Sequence, residues 1–385
     1  MASLSLGHAA TDLGQGAVPA LLVFIVPKLD LSYTLAAAVV LVATFSSSII
    51  QPLFGHWSDR RGAMWLLPGG VALAGAGVAL ASVAPSYPLL LFAVFVSGIG
   101  VAAFHPEGSK FASHVSGTRR ASGMAVFSVG GNLGFALGPL LGSSLVVAFG
   151  LSGGLLLVIP GLLGAAVLLA EARYLGSLVP APGRAGLAAG ERDEPKAFAL
   201  LLAIVALRSI AHYGLFTFVP LWEVEKGGSE AFGTRLLSLF LLAGAVGTLV
   251  GGPLADRFGR KPVIVVTHAL TAPLIVVYVL AGGVSGDIAL VFAGALVIST
   301  FGVTVVMSQE YLPSRIATAA GLSIGLAIGL GGVFAVSLGA LADSVDLRTA
   351  VLAGAIGPAL AALLALALPK AQRVRLVEPV ATPTS

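Results

Sequence analysis

The chain has 385 residues, of which 57% are hydrophobic and only 10% are charged, and its mean hydropathy is +1.01. A soluble domain carries about 25% charged residues, so this composition excludes an ordinary water-soluble protein and indicates a chain surrounded mostly by lipid. The lack of cysteine excludes disulfides and thiolate metal sites. The net charge of +4 gives no argument for nucleic acid, and we expect no nucleic-acid partner.

Long apolar runs follow one another along the chain, and a helix that crosses a bilayer needs roughly 20 mainly apolar residues. Runs of that length, separated by charged or Gly/Pro/Ser-rich turns, predict two sets of six helices, at 3–26, 33–56, 63–83, 87–112, 121–149 and 151–171 and at 197–222, 235–255, 262–282, 287–308, 316–341 and 349–369. We therefore predict an all-α integral membrane protein with twelve transmembrane helices in two pseudo-symmetric six-helix bundles. These helices are numbered below as predicted spans 1 to 12.

The two sets define four predicted segments. They are an N-terminal bundle at 1–171, a linker rich in Gly, Pro and charge at 172–196, a C-terminal bundle at 197–369 and a polar tail at 370–385. Most of the 21 lysines and arginines fall on the side of the membrane that holds the linker and the tail. The positive-inside rule then predicts that both termini are cytoplasmic. The first apolar run already holds ionisable residues, so we do not expect a cleaved signal peptide.

Two charged islands interrupt the apolar sequence at matching places. GHWSDRRG (55–62) and GPLADRFGRK (252–261) each contain Gly, three residues, Asp, Arg, one residue and Gly, and each follows the second span of its set. Such a repeat indicates a duplicated six-helix unit. An aspartate at a helix end can meet helix N-termini and arginines in one conformation only. We predict a gating role for Gly55, Asp59, Arg60, Asp256 and Arg257; alternatively, the islands merely fix the topology through their positive charge.

Polar and ionisable side chains lie inside two predicted spans, where each charge costs at least ~2.5–3.5 kcal/mol. His8, Asp12, Gln15 and Pro19 form one stripe of span 1, and span 7 carries a second stripe of Arg208 and His212. If both stripes face the bundle interior, a carboxylate and a guanidinium share one central cavity. We predict proton coupling by Asp12 and substrate binding by Arg208, His212, His8 and Gln15. The alternatives are a structural Asp12–Arg208 pair and histidines that are simply hydrogen-bonded.

Spans 4 and 10 carry carboxylates at matching depths. FHPEGSK contains His105 and Glu107, and MSQEYLP contains Glu310; proline breaks in membrane helices are tolerated where they line a cavity. We predict proton coupling by His105 and Glu107 and substrate binding by Glu310. Alternatively, Glu107 pairs with Lys110, or either glutamate belongs to the cytoplasmic rim.

The sequence contains no motif that indicates an enzyme active site. The spacing of His105, Glu107 and His114 does not match a His-Glu-x-x-His metal motif, and no nucleophile–base pair or dinucleotide fingerprint is visible. We therefore expect no enzyme activity, no metal and no cofactor, and a proton gradient as the source of energy.

Several motifs carry a resemblance to a known family. The paired islands resemble the loop signature of the major facilitator superfamily, and GNLGFALGPLLG (131–142) resembles the helix-5 signature of its antiporters, with Gly138 and Pro139 at its centre. HAATDLGQGAVPALL, AAFHPEGSKFA and LRSIAHYGLFTFVPLW are similar to the fosmidomycin-resistance branch of that superfamily. The resemblance covers nearly the whole chain.

The resemblance implies alternating access, in which two six-helix halves rock about a central site. It further implies an H⁺ antiporter of the bacterial inner membrane that exports a small drug-like or anionic compound such as fosmidomycin. Gly138 and Pro139 would then act in gating, and Asn132 would act in substrate binding. We expect a monomer whose partners are the lipid bilayer and a small-molecule substrate. The alternatives are an organic-anion/proton symporter and a non-transporting membrane scaffold.

Overall fold

The computed structural model describes residues 1–61, 64–116, 120–177, 193–312 and 316–369, and within these ranges it is helical and contains no strand. A 3₁₀ helix at Leu151–Leu157 precedes α6. The α-helices are α1 (Ala2–Leu29), α2 (Tyr33–Arg61), α3 (Leu66–Ser82), α4 (Tyr87–Val115), α5 (Arg120–Phe149), α6 (Val158–Ala170), α7 (Ala172–Ser177), α8 (Pro195–Glu225), α9 (Glu230–Phe258), α10 (Arg260–Ala281), α11 (Gly283–Tyr311), α12 (Ile316–Ser344), α13 (Leu347–Ala353) and α14 (Ile356–Ala365).

Among the described residues, 11 helical segments are long and apolar enough to cross a membrane. One of these segments consists of the 3₁₀ helix followed by α6, and another consists of α13 followed by α14. The shorter apolar helix α3 supplies the remaining span of the predicted twelve. The predicted all-α membrane fold is confirmed. In the stretch predicted as a linker, the structure forms α7 and the start of α8; 178–192 and the predicted tail at 370–385 lie outside the described residues.

Helix packing repeats between the two halves. Helix α1 packs along α5 as α8 packs along α12, α2 contacts α4 as α9 contacts α11, and α3 contacts α6 as α10 contacts α14. The halves meet where α2 contacts α12 and where α5 contacts α9, and these two pairs are equivalent under the same correspondence. The two six-helix units are therefore related by a pseudo-two-fold axis, and they face each other across a central interface.

Glycines on α5 let α1 approach it closely. A Cβ atom added at Gly134 would clash with the backbone of Ala9, and one added at Gly138 would clash with the backbone around Leu13. Small residues allow membrane helices to pack backbone against backbone in this way. The polar stripe of α1 is therefore held firmly against α5, at the edge of the central interface.

Candidate functional site

A cavity of about 370 Å³ lies between the two halves. This volume falls within the range of about 300–1,000 Å³ that is usual for small-molecule sites. Helices α1, α2, α4 and α5 supply its N-terminal wall, and α8, α9, α11 and α12 supply its C-terminal wall. Its polar and aromatic lining includes Asp12, Gln15, Ser47, Gln51, His105, Ser128, Asn132, Phe135, His212, Tyr213, Thr248 and Phe301.

A carboxylate and two imidazoles form a compact cluster on the N-terminal wall. Asp12 Oδ2 lies 3.2 Å from His8 Nε2, and Asp12 Oδ1 lies 3.2 Å from His105 Nε2. The two Nε2 atoms are 3.1 Å apart. The ring of His8 stacks on Phe127, with centroids 4.1 Å apart. The structure thus gives Asp12 two histidine neighbours and not the Arg208 partner that one alternative predicted.

An arginine is buried beside the opposite wall. Arg208 is 1% exposed, and its guanidinium lies 3.8 Å from the ring centroid of Phe301. Its Nη1 donates to the hydroxyls of Thr300 and Thr304 at 3.3 and 3.5 Å, while its Nε has no hydrogen-bond partner among the described residues. Burial of a charge costs several kcal/mol unless it is paired. An anion that reached this guanidinium would offset part of that cost, and Phe301, which contacts Arg208, also lines the cavity.

Side chains from the two halves are joined at the end of the bundle where α2 begins. Asp343 on α12 accepts hydrogen bonds from the backbone N–H groups of Tyr33 and Thr34 at 2.8 and 2.9 Å and from the Thr34 hydroxyl at 2.5 Å. The Tyr33 hydroxyl donates to Glu225 on α8. These four residues, Tyr33, Thr34, Glu225 and Asp343, form the clamp. Asp343 acts as an N-cap for α2 that is supplied by the other half of the molecule.

Comparison with known families decides the class of the protein. The family model described as "Major Facilitator Superfamily" matches residues 4–336. The chain belongs to the Major Facilitator Superfamily. Its relatives and structural neighbours are transporters, so this superfamily member is a multi-pass membrane transporter and not an enzyme.

Two relatives align with this transporter over most of its length. It is 33% identical over 387 residues to the uncharacterized MFS-type transporter YfnC of Bacillus subtilis, covering 96% of this chain and 92% of that one. It is 29% identical over 354 residues to the fosmidomycin resistance protein of Escherichia coli, covering 90% of this chain and 87% of that one. The predicted family resemblance is thereby confirmed.

Solved structures of low sequence identity share the fold. A bacterial homologue of the human lysosomal transporter Spinster gives a TM-score of 0.78 at 17% identity, covering 95% of both chains. The nucleoside transporter NupG gives a TM-score of 0.71 at 14% identity, covering 96% of this chain and 99% of that one. At these identities the likeness shows the superfamily fold alone.

The predicted coupling and binding residues divide into two groups. Asp12, His105, Gln15, Asn132 and His212 line the cavity. Arg208 and His8 lie directly behind it, in contact with lining residues. The Gln15 amide donates to Ser47 Oγ at 3.3 Å, which orients it along the wall.

The two predicted glutamates do not line the cavity. Glu107 is buried, with its Oε2 3.9 Å from Lys110 Nζ, as one alternative predicted. Glu310 forms an ion pair with Arg260. Substrate binding by Glu310 stays a prediction; in this structure its carboxylate contacts an arginine of the neighbouring helix. The coupling role of Glu107 stays a prediction, and the position of Glu107 beside Lys110 favours the alternative of a structural pair.

The predicted gating residues lie in three places. Gly138 lies in the close contact between α1 and α5, and Pro139 follows it inside α5. Asp256 lines a separate cavity of about 130 Å³ together with Arg260, and Arg257 lies over the Phe258 ring at 5.3 Å. Gly55 lies near Pro106 of α4. The side chains of Asp59 and Arg60 lie outside the described part of the chain.

Sequence reasoning missed Phe301, Thr300 and the clamp. Thr300 and Phe301 lie on α11 among apolar residues, with no charge or spacing to mark them. The clamp joins residues 192 to 310 positions apart, and only the cap-forming residue types at the helix ends could have signalled it.

Proposed function

We propose that this transporter is a proton-coupled antiporter that exports a small compound carrying an acidic group, such as fosmidomycin. The observation that supports this proposal is the cavity of about 370 Å³ between the halves, which has the Asp12 cluster on one wall and a buried arginine behind the other. The fosmidomycin resistance protein among its relatives supports the choice of substrate. We further propose a monomer in the bacterial inner membrane, with cytoplasmic termini and no cofactor besides the proton gradient.

The acidic group of the substrate binds at Arg208. A guanidinium presents a planar fork of donors that matches carboxylate and phosphonate oxygens, and here it lacks a carboxylate partner among its hydrogen bonds. The substrate displaces the ring of Phe301 to reach it. His212 lines the cavity, and its Nδ1 has no hydrogen-bond partner among the described residues, so His212 is available as a further contact.

The opposite end of the substrate competes with the proton. Asp12, His8 and His105 present hydrogen-bond acceptors, and a proton satisfies them when the substrate is absent. A hydroxyl or amide N–H of the substrate that donates to Asp12 takes the place of this proton. Proton and substrate then bind in turn and not together, which is the requirement for antiport.

The clamp forms and breaks as the outer side of the transporter closes and opens. With cytoplasmic termini, the end where α2 begins faces the cell exterior, so a formed clamp closes the outer side. Its hydrogen bonds cross from the N-terminal half to the C-terminal half and must break when the halves rock apart at that end. Substrate therefore enters while the clamp is formed and leaves after it opens.

The proton gradient supplies enough free energy for such export. One charge crossing 100 mV is worth ~2.3 kcal/mol, and each pH unit adds ~1.4 kcal/mol. Since 1.4 kcal/mol is a factor of ten, one proton supports an outward gradient of about several hundred-fold for a neutral species. An anion leaving a negatively charged interior gains further.

Everted vesicles test this proposal. Fosmidomycin added to vesicles with an acid interior should accumulate inside and discharge the acid, and Asp12→Asn should abolish both effects. The matched control is Asp346→Asn, which removes a carboxylate charge at the N-cap of α13, outside the cavity. Failure of the wild-type protein to discharge the acid with fosmidomycin, or equal impairment by the control, would contradict the proposal.

A symporter of an organic anion is the second candidate. An anion held near the Asp12 cluster would favour its protonation by simple electrostatics, so proton and anion would bind together and travel in one direction. The two candidates predict opposite proton movements on substrate binding. A non-transporting scaffold would show no substrate-dependent proton movement at all.

A further inference from the structure

The two imidazoles of the Asp12 cluster have a defined tautomer. His8 Nδ1 lies 2.8 Å from the backbone oxygen of Phe127, and His105 Nδ1 lies 2.9 Å from that of Val101. A carbonyl oxygen can only accept a hydrogen bond, so each Nδ1 carries a proton and donates it. In the neutral rings, both Nε2 atoms therefore present lone pairs to the carboxylate of Asp12.

The Nε2 lone pairs of His8 and His105 and the carboxylate of Asp12 repel one another at short distance, and a cation between them would relieve this repulsion. A proton would draw them together, because charge-assisted N–H···O bonds are about 2.7–2.9 Å long. The observed separations are 3.2 Å from each Nε2 to an oxygen of Asp12 and 3.1 Å between the two Nε2 atoms. Asp12 Oδ1 is buried and has no hydrogen bond of acceptable geometry among the described residues.

These separations approach those between the ligands of a tetrahedral metal. Zinc bonds of about 2.0–2.2 Å to nitrogen and oxygen place neighbouring ligand atoms about 3.3–3.5 Å apart. Metal-bound histidines also donate their second ring N–H to a backbone carbonyl or carboxylate, as both histidines do here. The two imidazoles approach different oxygens of Asp12, and one donor atom from each of the three residues lies within 4.8 Å of the others. A rotation of the Asp12 carboxylate that turns one oxygen toward both imidazoles would let the three residues close on an ion.

Space and access complete the site. Gly131 on α5 lies beside the cluster, and a Cβ atom there would be 2.7 Å from Asp12 Oδ2 and closer still to His8 Nε2. The glycine thus leaves free the volume next to the ligand atoms. Asp12 and His105 also line the cavity, so a fourth position is open to water or to a bound compound. Three protein ligands with one open position are typical of zinc sites that exchange a ligand.

The geometry points to a binding site for a divalent transition metal of the zinc type, held by His8, Asp12 and His105. Two imidazoles and a carboxylate suit Zn²⁺ and Co²⁺ and are poor ligands for K⁺ or Mg²⁺. A bound metal occupies the position that the proton or the donor group of the substrate takes in the proposed cycle. Bound Zn²⁺ then inhibits transport, although the binding itself does not depend on proton coupling.

Cobalt provides a direct probe of this site. The full-length protein is purified in detergent, its affinity tag is removed, and Co²⁺ is titrated. The wild type should bind a single equivalent with the strong visible absorption of four-coordinate Co²⁺, and Zn²⁺ should bleach it. His8→Gln, His105→Gln and Asp12→Asn should each weaken binding by more than the ~10–100-fold that loss of a supporting hydrogen bond costs. His268→Gln, which alters a buried histidine of α10, should leave binding unchanged.

A second measurement needs no variant. X-ray absorption of the zinc-loaded wild type should report two imidazole ligands with bonds of about 2.0–2.1 Å. A wild type that binds no Co²⁺, a zinc site without imidazole, or a His268→Gln effect as large as that of Asp12→Asn would overturn the inference. Because metal binding is measured without transport, this failure is distinguishable from failure of the proposed antiport.

Discussion

Removal of the Asp343 carboxylate should weaken the clamp between the two halves. Asp343→Ala eliminates three hydrogen bonds, from Tyr33 N at 2.8 Å, from Thr34 N at 2.9 Å and from the Thr34 hydroxyl at 2.5 Å. It also removes the cap that the C-terminal half supplies to the first turn of α2, although Ser32 Oγ still accepts from Leu35 N at 3.3 Å. A lost N-cap costs typically ~1 kcal/mol, and hydrogen bonds to a charged group are worth ~1.5–3 kcal/mol. Asp343 is exposed, so water replaces part of this, and we expect a net cost of about 2 kcal/mol to the clamped state.

A change of about 2 kcal/mol alters the equilibrium between clamped and open states about 30-fold, since 1.4 kcal/mol is a factor of ten. The shift is large enough to measure by electron paramagnetic resonance. The chain contains no cysteine, so Leu35→Cys and Val345→Cys can carry spin labels in an otherwise unreactive protein. The parent should give one dominant short distance, and Asp343→Ala should add a longer population.

The matched control for this experiment is Asp346→Ala. Asp346 also caps a helix, because it accepts a hydrogen bond from Thr349 N at 2.6 Å. Asp346 and the helix that it caps, α13, both belong to the C-terminal half, so this cap does not join the two halves. The control should leave the label distance unchanged. An unchanged distribution in Asp343→Ala, or the same change in Asp346→Ala, would refute the clamp as a contact that holds the halves together.

Three further predictions concern single side chains. Arg208→Met should abolish fosmidomycin tolerance while leaving the thermal unfolding midpoint unchanged or higher. A buried charge costs several kcal/mol to desolvate, no ion pair offsets that cost among the described residues, and an apolar chain removes it. A large drop in the midpoint would indicate a structural role. Glu107→Gln should leave substrate-dependent proton movement intact, since Glu107 lies beside Lys110 and is not among the residues that line the cavity. Loss of the proton movement in this variant would support the predicted coupling role. Gly138→Ala should destabilise the protein by about 1–3 kcal/mol through the α1–α5 contact, whereas Gly325→Ala, with nothing within 4 Å of the added Cβ, should not, as scanning calorimetry can show.

Much of the fold could be predicted from the sequence because lipid leaves the backbone few choices. Backbone groups in a bilayer must be hydrogen-bonded internally, so apolar runs of sufficient length become helices. The duplicated islands at 55–62 and 252–261 then predict two six-helix units. The third predicted span, at 63–83, corresponds to the shorter helix α3 at Leu66–Ser82.

The candidate site could be predicted only as stripes on separate helices. The four-residue spacing on α1 placed His8 and Asp12 on one face, and the structure has them 3.2 Å apart. Partners across the molecule carry no such local signal. His105 reaches Asp12 because of how α4 crosses α1, and Phe301 covers Arg208 because of how α11 lies against α8. For the same reason, the pairing of Asp12 with histidines could not be distinguished beforehand from a pairing with Arg208.

Proton movement on substrate binding tests most directly whether proton and substrate compete in the shared cavity. Purified protein in weakly buffered solution near neutral pH receives fosmidomycin, and the change in free proton concentration is recorded. Wild-type protein should release protons on binding, and Asp12→Asn should bind the compound without releasing any. Proton uptake by the wild type would contradict antiport and favour the symporter, and equal release by Asp12→Asn would remove Asp12 from the coupling site.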